Sequence, residues 1–236
     1  AILYSVQLYA DFSGYSHMAI GVGKLLGFNV TKNFNYPFFS RNIAEFWRNW
    51  HMSLTSWLTD YVFMPLNVKF RNLGNLGIIL AIIINMVAVG LWHGANWTFA
   101  VFGLYNGLLF IPLILSGSFF KKKKLKTNKF DLPSFLDFNK MIGTFLLVSL
   151  GLIVFRAHNI GQAWSYMEGF FNLSDYYTDT AGLGALKHII TLAIIMFIIE
   201  WLERAKEFPM QNIQSKYNKI FRWLIYSVII FLIGMF

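Results

Sequence analysis

The sequence predicts an all-α, polytopic transmembrane protein, and three observations carry that expectation. Composition is far from that of a soluble domain: 56% of residues are hydrophobic and 19% aromatic, only 13% are charged, and mean hydropathy is +0.51. Long apolar runs recur along the chain, as helices that cross hydrocarbon require. Lys and Arg gather in alternate connections between these runs, the pattern of the positive-inside rule.

The runs are Gly77 to Trp92, Trp97 to Ser116, Met141 to Phe155, Ala185 to Leu202 and Ile220 to Phe236, with a less pure sixth from Ala1 to Phe28. A crossing helix needs about 20 mostly apolar residues and no fewer than about 17, so the shorter runs must borrow flanking residues or tilt. The expectation is about six spans in a single membrane domain over 1–236. Ala1 is not a start methionine and Phe236 falls inside an apolar run, so a piece cut at both ends is expected, with no cleavable signal peptide.

Of the 20 basic residues, six lie in Lys24 to Arg71, seven in Lys121 to Lys140 and five in Arg204 to Arg222. The other two flank Arg156 to Lys187, which also carries Glu168, Asp175 and Asp179 and is expected outside. The net charge of +9 thus reads as topology and headgroup contact, not as nucleic-acid binding. The lysine-rich stretch Lys121 to Lys129 reads as a solvated loop. Without cysteine there are no disulfides or thiolate metal sites, and no HxxxH or HExxH pair offers a metal another way. No internal repeat of the transporter kind is visible.

Ser40 to Tyr61 differs from the runs. At helical periodicity one face collects Ile43, Phe46, Trp47, Trp50, His51, Leu54, Trp57, Leu58 and Tyr61, and the other Arg41, Glu45, Arg48, Asn49, Ser53, Ser56 and Asp60. The pattern predicts one interfacial or re-entrant helix, its tryptophans at the headgroup boundary, capped by Ser40 or Asn42 with Glu45 as capping-box partner and closed by Pro65.

Three polar residues stand out in this apolar setting. His51 is a candidate base, with interfacial packing as its plain alternative. His93, in GLWHGANW, sits between two runs, where Gly90 and Gly94 permit close approach. There Asn96 can orient an imidazole or bind a carbonyl oxygen, while the structural alternative is a helix corner in which His93 caps the carbonyl ends. Asp11, in YADFSGYSHMAIG, lies in an apolar helix beside a polar stripe of Tyr9, Ser13, Gly14, Tyr15, Ser16 and His17 that offers hydrogen-bond partners. Polar residues at depth suit a transporter as well as an enzyme, and a non-catalytic scaffold is a third reading.

LYADFSGYSHMAIGVGKLLGF, NFNYPFFSRNIAEFWRNWHMSLTSWLTDYVFMPL, GLWHGANWTFAVFGLYNG and VFRAHNIGQAW resemble successive signature blocks of the membrane-bound O-acyltransferase family, in its alginate O-acetyltransferase and teichoic-acid D-alanyl transfer branch. The resemblance implies a multi-pass bacterial inner-membrane enzyme of cell-envelope polysaccharide modification, with His93 catalytic and His51 lining the same path. It further implies an acyl donor on a cytoplasmic thioester, acetyl-CoA or an acyl carrier protein, an outer-face acceptor or partner, and no tightly bound cofactor or metal. On that reading Asn96, Trp92 or backbone amides stabilise the oxyanion, Trp47 and Trp50 line the buried side, and Arg41, Arg48, Lys69 and Arg71 are candidate phosphate holders at the cytoplasmic mouth. Plain topology sets His51 toward the cytoplasm and His93 toward the outside, so a tunnel joining them is expected.

Overall fold

The computed structural model describes residues 1–121, 125, 127, 131–170, 182–206 and 217–235. Most of the lysine-rich stretch, and Asp175 and Asp179, lie outside the described residues. The chain divides into two compact units, 1–177 and 178–236.

In the first unit, α1 (Ile2–Leu25) forms from the expected first run. Its end is fixed by Gly27 at φ +81, with the Phe28 amide donating to the Gly23 carbonyl at 2.8 Å, a Schellman-type stop. A 3₁₀ turn (Pro37–Phe39) follows, and then the first departure from expectation.

Ser40 to Tyr61 is not one helix. It folds as α2 (Ile43–Asn49), a break at Trp50 and His51, α3 (Met52–Leu58) and a π-helical turn (Thr59–Phe63) that runs into α4 (Met64–Lys69). Trp50 is extended and His51 left-handed, at φ 44 and ψ 54. The connection after α1 supplies what the break removes. The Met52 amide donates to the Asn33 carbonyl at 2.9 Å, Ser53 Oγ to Asn33 Oδ1 at 2.6 Å, and the Asn35 amide to the Asn49 carbonyl at 3.0 Å. Every freed backbone group named there finds a partner, which makes the break affordable in a buried setting.

Asn42 is the N-cap of α2, accepting from the Glu45 amide at 2.8 Å, while Glu45 reaches back to the Arg41 amide and guanidinium. Pro65 does not close the segment. It follows the π-helical turn within a helix that runs unbroken from Met52, so its missing N–H falls where the regular ladder is already interrupted, and the helix continues to Lys69. Nor do the tryptophans line up at a boundary: Trp47 and Trp50 are buried and only Trp57 is exposed. The reason is packing. Trp50 stacks on Phe46 at 5.3 Å and meets Phe34 edge-on at 5.0 Å, while Trp47 Nε1 donates to Asn106 Oδ1 at 3.2 Å.

After a 3₁₀ turn (Arg71–Leu73) come α5 (Asn75–Trp92), α6 (Trp97–Leu108), α7 (Ile111–Leu115), α8 (Phe135–Arg156) and α9 (Ile160–Glu168). The run after Trp97 is interrupted before Pro112, whose ring would clash with the Leu108 carbonyl of a continuous helix. Helix α5 packs tightly on α6 because Gly90 and Gly103 leave room: a Cβ on Gly90 would overlap the Phe99 carbonyl oxygen. Helix α8 joins α6 through Tyr105 Oη, which donates to the Leu147 carbonyl at 2.8 Å, and joins α1 through Ser5 and Ser149 hydroxyls 2.9 Å apart.

The second unit holds α10 (Gly182–Glu203) and α11 (Lys219–Met235), close to the last two expected runs. Among the described residues, three stretches are long and apolar enough to cross a membrane: Asn75–Trp92, Trp97–Leu115 and Phe135–Arg156. The other three expected runs are helical as well.

Candidate functional site

The break in the α2–α3 segment and the corner between α5 and α6 come together. His93 is the C-cap of α5, its amide donating to the Gly90 carbonyl at 3.0 Å, and Gly94 at φ +153 turns the chain. Trp92 stands between the two histidines: its ring centroid is 5.6 Å from that of His51 and 5.0 Å from that of His93, edge-on to both. Phe12 of α1 packs on the far side of His51 at 4.8 Å, and Phe155 of α8 on His93 at 4.8 Å. Two imidazoles expected at opposite ends of a path thus share one aromatic cluster. The broken segment carries His51 inward to Phe12, about 12 Å along α1 from Tyr4 by helical rise.

His51 is the unusual residue. A non-glycine, left-handed backbone is costly and clusters at functional positions. Its Nδ1 is buried without a hydrogen-bond partner among the described residues. An unpaired buried polar atom costs roughly 1–3 kcal/mol, so strain and an orphan nitrogen coincide at one side chain. Burial pushes the imidazole below the ordinary histidine range, which keeps it neutral. His93 is exposed on one side, while Trp92, Phe99 and Phe155 surround the other. That burial, and secondarily the nearby His51, lowers its pKa too. Both imidazoles are held neutral and so have a free lone pair, one of them reachable from outside the cluster, though the burial that lowers their pKa also makes them weaker bases.

The remaining sequence candidates fall around this pair unevenly. Trp92 is in the cluster and 58% exposed, leaving the site open on that side. Asn96 is the N-cap of α6: its Oδ1 accepts from the Thr98 amide at 3.1 Å and its Nδ2 donates to the His158 carbonyl at 3.1 Å. Oδ1 therefore caps α6, while Nδ2 ties the corner to the residues just after α8. Asp11 is exposed on α1, apart from the hydrogen bonds of the stripe, in which Ser13 pairs with His17 at 3.5 Å and Asn33 donates to Ser16 at 3.5 Å. Trp47 and Trp50 belong to the core beneath the break.

The basic candidates also separate. Arg41 is bound to Glu45 at 2.7 Å and lies 3.9 Å from Asp137; the Glu45 bond raises its pKa. Arg48 is half-buried, donates to the Phe119 carbonyl at 3.5 Å, and has its pKa lowered by burial. Lys69 and Arg71 are exposed. Among the described residues no cluster of three or more His, Cys, Asp or Glu side chains is placed to hold a metal. Sequence reasoning missed Phe12 and Phe155, which wall the two rings, and Asn33, which holds the break. A lone asparagine in a polar connection carries no signal of that role.

Comparison with known proteins identifies the family. The chain is 34% identical over 224 residues to a probable alginate O-acetylase of Pseudomonas aeruginosa, covering 93% of this chain and 40% of that protein. It is 37% identical over 168 residues to a teichoic acid D-alanyltransferase of Streptococcus thermophilus, covering 62% of this chain and 40% of that protein. It is 35% identical over 183 residues to a peptidoglycan O-acetyltransferase of Helicobacter pylori, covering 74% and 31%. The chain thus spans about two fifths or less of the length of these relatives. The sequence profile of the membrane-bound O-acyltransferase family matches residues 1–154, the stretch that contains both histidines, the break and the glycine seam, and the chain belongs to that family.

Proposed function

We propose that the protein transfers an acyl group, acetyl foremost, from a cytoplasmic thioester of coenzyme A or an acyl carrier protein to a hydroxyl at the outer face of a bacterial inner membrane. The product serves modification of an exported cell-envelope polysaccharide. The observation that carries this reading is the cluster itself: two neutral imidazoles on one tryptophan, one of them held in a strained backbone with an unpaired buried nitrogen. Relatives named for alginate, teichoic acid and peptidoglycan supply the substrate class.

In the proposed reaction, His93 accepts the proton of the acceptor hydroxyl as its oxygen attacks the thioester carbonyl. The tetrahedral intermediate collapses with cleavage of the C–S bond, the thiolate leaves, and the proton passes from His93 to that sulfur. His51 orients the donor, and the rings of Phe12, Trp92 and Phe155 limit water, which otherwise competes as acceptor. Arg48, Lys69 and Arg71 attract the donor's phosphates at the basic end; Arg41, already tied to Glu45, contributes least.

The test is transfer of labelled acetyl from a thioester in membranes containing the full-length protein and its outer-face partner, comparing wild type with His93→Ala at matched abundance. A positioned base is worth about 10² to 10⁴ in rate, so a loss of that size is expected. Undiminished transfer would remove His93 from the chemistry and favour a scaffold role.

A further inference from the structure

Helix α9 stands where a span-capable helix ends. Residues Phe135–Arg156 are long and apolar enough to cross a membrane, and α8 stops there because Ala157 is extended, at ψ 143. The turn that follows is held from both sides. Asn159 Oδ1 accepts from the Gln162 amide at 2.8 Å, and Gln162 Oε1 accepts from the His158 amide at 2.8 Å, a reciprocal pair of the capping-box kind. Asn96 Nδ2, donating to the His158 carbonyl, ties the same turn to the start of α6. Two span-capable stretches therefore end at one level, that of the His93 corner.

Helix α9 is amphipathic. At helical spacing Ile160, Trp164 and Met167 share one face, while Ser165 and Gly169 lie on the opposite one. Ala163 is its buried contact, whereas Ile160 and Trp164 are 42% and 62% exposed and so are not packed against the rest of the unit. The Trp164 indole N–H donates to Glu168, which leaves the ring itself to meet an apolar neighbour. Gln162 and Tyr166 face the first turn of α1 at Tyr4. Trp164, two residues from each, falls on the other side of the helix, so a neighbour of α1 approaches α9 away from the indole. At the same level Trp97, the first residue of α6, is 78% exposed.

A helix of nine residues is marginal by itself in water, and its apolar face needs an apolar phase. At the exit of a spanning helix that phase is the boundary between headgroups and acyl chains, where indole and phenol rings concentrate. We propose that α9 is an interfacial helix whose Ile160–Trp164–Met167 face lies in this boundary, with Trp97 as a second anchor at the same depth. The partner is the lipid surface. Because Asn96 binds the turn before α9, this contact fixes the height of the His93 corner in the bilayer. It stands independently of the acyl-transfer reading.

The experiment uses full-length protein in nanodiscs of phosphatidylethanolamine and phosphatidylglycerol. Ile160→Cys, Trp164→Cys, Ser165→Cys and Gly169→Cys, each as the single cysteine, carry a nitroxide whose collisions with oxygen, enriched in lipid, and with a water-soluble nickel chelate are measured. The oxygen-to-chelate ratio should be at least about threefold higher at 160 and 164 than at 165 and 169, as a helix lying in the boundary requires. Chelate preference at all four sites, which puts the helix in water, would overturn the proposal. So would exclusion of both reagents from 160 and 164, which puts protein over this face. A measurement on unsubstituted protein guards against misfolded variants: a phospholipid with a photoactivatable diazirine near its headgroup should form adducts on Trp164 and Met167. Leu146, Leu147 and Leu150, exposed on α8, serve as the lipid-facing control. Labelling of α8 without α9 would also overturn the proposal.

Discussion

Replacing His51 by glycine and by alanine separates the broken segment from the continuous helix that its sequence pattern describes. Both substitutions delete the same imidazole, its contacts with Phe12 and Trp92, and the orphan Nδ1, so these terms cancel in the comparison. What remains is the backbone at φ 44 and ψ 54. Alanine there suffers the left-handed steric penalty of about 1–2 kcal/mol, whereas glycine has none but gives up roughly 0.5–1 kcal/mol more chain entropy. Glycine should therefore be the more stable variant by about 0.5–1 kcal/mol. In a continuous helix the order reverses, with glycine worse than alanine by about 1 kcal/mol. Equilibrium unfolding of full-length protein in mixed micelles, followed by far-ultraviolet circular dichroism and tryptophan fluorescence, reads the difference. A more stable alanine variant would refute the left-handed His51 and, with it, the account of how this ring reaches the cluster.

Other outcomes follow from the same contacts. Gly90→Ala should force α5 from α6 at the Phe99 carbonyl, lowering unfolding free energy by about 1–3 kcal/mol and reducing the amount of folded protein recovered from membranes. Asn96→Ala should cost about 1 kcal/mol for the lost α6 cap, with a further loss from the freed His158 carbonyl, measured by the same unfolding titration. Because burial and His51 lower the His93 pKa, its neutral form persists through the ordinary histidine range. The transfer rate should accordingly stay level down to about pH 6.5 and fall only in more acidic buffer; a fall centred at or above that pH would contradict the packed environment of the ring.

Much of the architecture was legible in the chain. Apolar runs became helices close to their expected limits, and the Asn42 cap with Glu45 was readable because capping chemistry is local. The membrane class and the family were readable for the same reason: each rests on composition or on contiguous residues. What stayed hidden is non-local. The face of Ser40 to Tyr61 fits a helix perfectly well, and only the arrival of Asn33, some twenty residues earlier, makes a left-handed His51 tolerable. The family resemblance put His51 and His93 on one path, but their meeting at Trp92 was hidden likewise, since a straight interfacial helix holds His51 away from the α5–α6 corner. Trp47 and Trp50 looked like boundary anchors because their ring content is the same in either place; neighbours contributed by α1, α6 and the 3₁₀ turn draw them inside.

The hold that Asn33 has on the break bears on the order in which the chain is assembled. Emerging from the ribosome, residues 40–61 have every local reason to be one uninterrupted helix, and nothing within them selects against it. The choice is made by the stretch that follows α1, which is synthesised first and waits in position. Insertion of α1 thus comes before the folding of the histidine segment, and an Asn33→Ala chain should linger in the unbroken form, with His51 stranded at the surface and open to chemical labelling during synthesis.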